Sequence, residues 1–93
     1  TGLGGTHELF AENFEVYPNP SSGIILVKFN LHQSGNLVLK IEDALGQIVY
    51  LEEMYNTSTG QKQLDLSNLE RGIYFISLSN GEEILTVKLI LAK

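Results

Sequence analysis

The last twenty residues constrain the fold most. Asn80-Gly81 sits between two apolar alternating runs, residues 73–79 and 83–91. In the first run Tyr74, Ile76 and Leu78 share one face. In the second, Leu85, Val87, Leu89 and Leu91 share one face, and Ile84, Thr86, Lys88 and Ile90 the other. A period of two belongs to a strand whose successive side chains point to opposite sides of a sheet. Asn and Gly both tolerate positive φ, so a two-residue type I′ turn joining two antiparallel strands is expected. A chain that ends in such a hairpin must bury one face of it against more strands.

The rest of the sequence supplies them. A short strand over residues 14–17 stops at Pro18-Asn19-Pro20-Ser21-Ser22-Gly23, because neither proline can donate to a ladder. Each proline also pushes Tyr17 and Asn19 toward extended geometry. Residues 24–31 form a strand with Ile25, Val27, Phe29 and Leu31 on one face. Gln33-Ser34-Gly35-Asn36 is expected to turn, and Leu37, Leu39 and Ile41 face the core of the next strand. Asp43-Ala44-Leu45-Gly46 fits a type I turn, with Asp first and Gly fourth. Residues 47–54 make a further strand, whose alternation leaves open whether Ile48 and Tyr50 or Val49 and Leu51 point inward. Residues 56–60 are a polar loop. Leu64 and Leu66 then share one face of a strand. Ser67 followed by Glu70 is a capping-box pattern, predicting one helical turn over residues 67–71, ended by Gly72 and tied to the core by Leu69. Tyr74, two residues past that Gly at a corner between strands, is placed like the tyrosine corner of immunoglobulin-like sandwiches, where the phenol closes a hydrogen bond across the turn.

Seven short strands with turns about every ten residues and no long helix predict an all-β fold: a seven-stranded antiparallel immunoglobulin-like β-sandwich. A barrel of the same strands is the alternative. Ninety-three residues make one domain. Residues 1–13 open Gly-rich and read as a linker or as residues added for expression, with Leu9, Phe10 and Phe14 apolar enough to lie against the domain; residues 14–93 are the domain. No 18-residue apolar run occurs. No basic stretch followed by an apolar one opens the sequence, so an export signal is expected upstream if the protein is exported.

Side-chain chemistry is sparse. The net charge of −5 argues against nucleic acid as a partner. No cysteine is present, so there is neither a disulfide framework nor a thiolate site. His7 and His32 stand apart, without further ligands at metal spacing. Glu52 and Glu53 are adjacent and face opposite ways on a strand, so they cannot share a proton. Asp43 and Asp65 lack the dense Asp/Asn/Gly loop of a calcium site. No Ser lies in a Gly-x-Ser-x-Gly elbow. Asn56-Thr57-Ser58 matches the N-glycosylation sequon, which matters only in a eukaryotic secretory route. These residues predict a domain without catalysis and without a cofactor.

Four stretches in order carry a resemblance to a family. Tyr17-Pro18-Asn19-Pro20-Ser21-Ser22-Gly23 resembles the opening motif of the C-terminal sorting domain, type A, of the type IX (Por) secretion system of Bacteroidetes. Asp43-Ala44-Leu45-Gly46-Gln47-Ile48-Val49 resembles its middle motif. Leu64-Asp65-Leu66-Ser67 through Leu69, Gly72, Ile73 and Tyr74 resembles its best-marked motif. Gly81 followed by Lys88-Leu89-Ile90 resembles its final one. The resemblance covers residues 14–93.

The resemblance implies a non-catalytic sandwich at the end of a larger cargo protein. The cargo would pass through the periplasm and then reach the cell surface or the medium. Its implied partners are an outer-membrane translocon, a shuttle β-barrel protein, a surface sortase that removes the domain, and the upstream cargo itself. The motif residues it marks are Pro18, Asn19, Pro20, Gly23, Asp43, Gly46, Leu66, Leu69, Gly72, Tyr74, Gly81, Lys88, Leu89 and Ile90. From the residues themselves, the last strand is apolar on both faces at Leu89, Ile90 and Leu91, leaving a surface for a partner, by face or by edge. The alternative is an immunoglobulin-like binding module, an adhesin or carbohydrate-binding domain, with Tyr50 and Tyr55 as the sugar-stacking candidates.

Overall fold

The computed structural model describes residues 11–93. The expected packing of Leu9 and Phe10, and His7, lie outside the described residues. Five strands follow one another: β1 (Ala11–Tyr17), β2 (Ile24–Asp43), β3 (Ile48–Asp65), β4 (Gly72–Ser79) and β5 (Ile84–Leu91). Every strand pairing is antiparallel. β2 is the axis. Along one edge it pairs β3; its other edge takes β1 on its first arm and β4 on its second, and β5 closes on β4. The fold is an all-β, antiparallel curled sheet.

Five strands replace the expected seven because β2 and β3 each run through a predicted break. Residues 33–36 do not turn, and residues 56–60 do not form a free loop. Both lie within strands, paired to one another at Gly35 and Thr57. Register shifts flank that pair, and Asn56 takes φ 50. Such irregularities bend a paired ribbon without unpairing it.

The reason for bending is in the phase. Ile25, Val27, Phe29, Leu31, Leu37, Leu39 and Ile41 are all buried. All are odd-numbered, so the apolar face stays on one side of β2 through the bend. A straight 20-residue strand would span ~65 Å, against a longest dimension of 42 Å for the molecule. Curling folds this face onto itself and onto Tyr74, Ile76 and Leu78 of β4 and Leu89 and Leu91 of β5. Phe14 and Val16 of β1 pack on it, as do Tyr50 and Met54 of β3. Neither expected set holds whole: Val49 and Tyr50 pack on the core while Ile48 and Leu51 are exposed, because a register shift falls between Ile48 and Tyr50. Where the two arms of β3 approach at the core margin, Lys62 donates to Glu52, which also accepts from the Tyr50 hydroxyl at 2.5 Å. At the paired position Phe29↔Gly60 the phenyl ring lies over the glycine, in space a Cβ would occupy.

Three further local expectations change. β1 begins at Ala11, not Phe14. Residues 67–71 form no helical turn: Leu69 N–H donates to Leu66 C=O at 3.0 Å. Ser67 gives its hydroxyl and its amide to Asp65 rather than pairing with Glu70. Asp65 thus organises the corner as an Asx turn. The β4–β5 hairpin forms, but not through a type I′ turn. Only Gly81 has positive φ, at 98. Asn80 instead accepts the amides of Glu82 and Glu83 with its side-chain oxygen, at 2.9 and 2.8 Å.

Candidate functional site

The site grows from the stretch between β1 and β2. Pro18 and Pro20, both preceded by cis peptide bonds, carry the chain across the end of β5. Asn19 Nδ2 donates to the Lys88 carbonyl at 2.7 Å, and Ile90 N–H donates to Asn19 Oδ1 at 3.0 Å. One carboxamide thereby meets a strand edge with the donor and acceptor that a backbone would supply. Ser21 continues as true backbone. Its N–H donates to Ile90 C=O and its C=O accepts from Ala92 N–H, each at 2.8 Å. This parallel bridge to Leu91 makes residues 18–21 a strap over the final strand's edge.

The strap is anchored from behind. Ser21 is buried, and its hydroxyl donates to Ile24 C=O while accepting Gly23 N–H. Gly23 C=O accepts from Leu66 N–H at 2.7 Å, linking strap to corner. Lys93 Nζ donates to the carbonyls of Ser67 and Leu69, drawing the residues after β5 to the same corner. Tyr74 fulfils the tyrosine-corner expectation: its hydroxyl donates to Glu70 C=O at 2.6 Å. Burial, and the charges of Glu70 and Asp43, raise the Tyr74 phenol above its ordinary value. The hydroxyl and amide of Ser67 hold the Asp65 carboxyl below its ordinary value.

The middle motif lies beside this corner, with Asp43 paired to Tyr74. Asp43 Oδ1 accepts the amides of Leu45 and Gln47, both at 2.9 Å, and Gly46 N–H donates to Asp43 C=O at 3.0 Å. The expected turn is present, with Gly46 at φ 87. Asp43, Ala44 and Leu45 form one wall of a shallow cleft of about 220 Å³, and residues 70–74 the other.

Thirteen of the fourteen marked residues therefore converge on one pole, or on the stretch of β5 leading to it. Gly81 does not. It lies at the hairpin tip, beyond the eight paired positions that run from Gly72 to Ser79. The thirteen also divide by burial. Leu66, Tyr74 and Leu89 are buried and Leu69 packs on the core. Asp43 and Asn19 spend their side chains on backbone groups. These residues build the pole; Lys88 and Ile90 present it.

Ser21, Leu45 and Ile73 lie in the motif stretches but not among the marked residues, and sequence reading overlooked Phe75 and Lys93 as site residues. Ile73 pairs with Ile90 and Phe75 with Lys88, so the four share the outer face of β4–β5. Three of them form an apolar stripe, with Ile73 45%, Phe75 38% and Ile90 36% exposed. Leu45 stands out at the turn, 86% exposed. The signal for Ile73 and Phe75 was their outward phase in β4, where a polar residue is usual. Among the described residues no group of His, Cys, Asp and Glu is placed to hold a metal.

A comparison with curated proteins finds no match. A family model described as the secretion system C-terminal sorting domain matches residues 15–92. The match spans the strap, the Asp43 turn, the Tyr74 corner and nearly all that follows, and on it the chain belongs to the family of C-terminal sorting domains of type IX secretion.

Proposed function

We propose that this domain directs an attached cargo across the outer membrane by presenting the strapped pole and the outer face of β4–β5 to the type IX translocon and its shuttle β-barrel protein. The cargo passes through the periplasm and ends at the cell surface or in the medium, where a sortase removes the domain. The domain itself does no chemistry. Counting each arm of β2 and β3 as a strand gives seven strands, and we read the curled sheet as an immunoglobulin-like sandwich opened along β3.

One observation carries this reading. Residues that mark the family are spent on building one pole, and beside it lies the stripe of Ile73, Phe75 and Ile90. Exposed apolar groups on a folded face suit a protein partner. The test is export of a fluorescent reporter carrying a periplasmic signal peptide and residues 11–93, in a strain with a working type IX system and in one lacking the translocon. Fluorescence outside the cell only in the working strain is expected, and loss of it in Ile90→Glu with the domain still folded. Retention in both strains refutes the sorting reading, and export of folded Ile90→Glu refutes the assigned face.

A second reading, a carbohydrate-binding module, rests on Tyr55. It is 64% exposed and borders a shallow cleft with Asn36 and Asn80. Glycan-array binding abolished in Tyr55→Ala would favour it.

A further inference from the structure

The strap answers for one edge of the sheet and leaves another open. β3 pairs only with β2, and among the described residues nothing pairs along its other edge. An unpaired edge presents a row of N–H and C=O groups that another extended backbone can pair in register. The first arm of β3 is bounded. At its start a register shift falls between the pairs of Glu42 with Ile48 and Ile41 with Tyr50; at its end Asn56 turns to φ 50. Between these lie six residues, 50–55, about the length of an average strand.

We propose that this edge, from Tyr50 to Tyr55, takes up an extended segment of another polypeptide by strand addition, and that the segment carries aliphatic residues on its inner face and a basic residue on its outer face. The side chains of β3 specify that chemistry, since a strand shows the same faces to both of its neighbours. On the inner face Tyr50 and Met54 are half-buried at the margin of the core. An aliphatic residue beside them extends the core by one strand. On the outer face Leu51 and Tyr55 are exposed, with Glu53 between them. A basic residue there meets the Glu53 carboxylate, which among the described residues accepts the exposed Tyr55 hydroxyl at 3.0 Å. The partner already on the opposite edge has the inner half of this pattern: Leu37, Leu39 and Ile41 of β2 lie against Met54, Glu52 and Tyr50, while on the outer face Lys40 lies against Leu51 and Val38 against Glu53. Recognition by strand addition draws affinity from the backbone and selectivity from alternate side chains. The proposal is independent of the sorting reading, because Leu51 and Tyr55 lie outside the strapped pole.

The probe is a labelled synthetic peptide with the sequence of residues 36–41, titrated into the full 93-residue chain and followed by anisotropy and by amide chemical shifts. Saturable binding is expected, with shifts concentrated at residues 50–55. Leu51→Lys and Tyr55→Lys, at exposed positions that leave the core intact, each weaken it about tenfold, the effect of ~1.4 kcal/mol. A peptide with its Lys replaced by Glu weakens similarly. Absence of saturation, shifts centred on residues 88–92, or binding indifferent to Leu51→Lys would each overturn the proposal. So would self-association of the chain without peptide that Leu51→Lys abolishes, because the edge would then belong to a second copy.

Discussion

Asn19→Ala removes both hydrogen bonds that its carboxamide makes to β5 and leaves those of Ser21 in place. An intramolecular hydrogen bond contributes a net ~0.5–1.5 kcal/mol, and both of these are exposed, so the freed groups can turn to water. The loss is therefore placed at ~1–2 kcal/mol. With a urea dependence of ~1 kcal/mol/M for a small domain, the unfolding midpoint falls by ~1–2 M. Asn19→Asp separates the two bonds. A carboxylate still accepts Ile90 N–H but gives nothing to the Lys88 carbonyl. Amide hydrogen exchange reads the difference directly, since local opening sets exchange at a sheet edge. In Asn19→Ala the Ile90 amide loses about tenfold in protection beyond the global change, while in Asn19→Asp it keeps it. Equal Ile90 protection in the wild type and in Asn19→Ala would refute the view that the carboxamide stands in for a strand.

Three further perturbations test other joints. Gly60→Ala puts a methyl group into the Phe29 ring and should cost ~1–3 kcal/mol in denaturant unfolding, an overpacking effect that Phe29→Leu relieves in the double variant. Tyr74→Phe leaves the corner without the bond to Glu70 C=O and should cost ~1–2 kcal/mol, with faster exchange confined to the β3–β4 corner. Glu52 has its carboxyl held below the ordinary value, by the hydrogen bond from Lys62 first and that from Tyr50 second. A depressed pKa stabilises the fold above the unfolded-state value of ~4.3, and the contribution disappears as pH falls through the folded value. Glu52→Gln should therefore lower stability at pH 7 by ~1 kcal/mol or less and narrow the gap to wild type below pH 4. A gap that stays constant as the pH falls would refute the pairing.

What the sequence disclosed depended on the range of the interaction. The inward sets of β2, β4 and β5 follow from a period of two, because burial of one face acts on each residue independently of its partner. The breaks were misjudged because Ser, Gly and Asn suit a bulged bend as well as a turn. At residues 33–36 and 56–60 the choice was made by pairing between the two segments, which no local pattern encodes. The Asn80 loop failed differently: Asn was credited with positive φ, whereas its side chain caps two amides. Asn19 was singled out through family resemblance alone. Its partners lie 69 and 71 positions away, and nothing in Pro-Asn-Pro indicates which edge it covers.

That separation bears on how sorting signals are dissected. Residues 88–92 supply the outer face of β5, the edge that the strap holds, and Leu89 and Leu91 of the core. Deleting residues 89–93 removes all three at once, together with the Lys93 contacts to the corner. A deletion of this kind should abolish export whether or not a partner touches these residues, because Leu89 and Leu91 are fully buried and losing each costs ~2–5 kcal/mol. Against a typical stability of ~5–15 kcal/mol, the truncated domain is expected to be largely unfolded by circular dichroism. Substitution on the outward phase avoids this. Ile90→Glu changes a partly exposed side chain, keeps the backbone that Asn19 and Ser21 grip, and leaves Leu89 and Leu91 in place. Export lost in Ile90→Glu and kept in Thr86→Glu, farther up the same face, would locate recognition at the strapped pole. Equal loss in both would spread it over the whole outer face, and equal export in both would remove that face from the recognition surface.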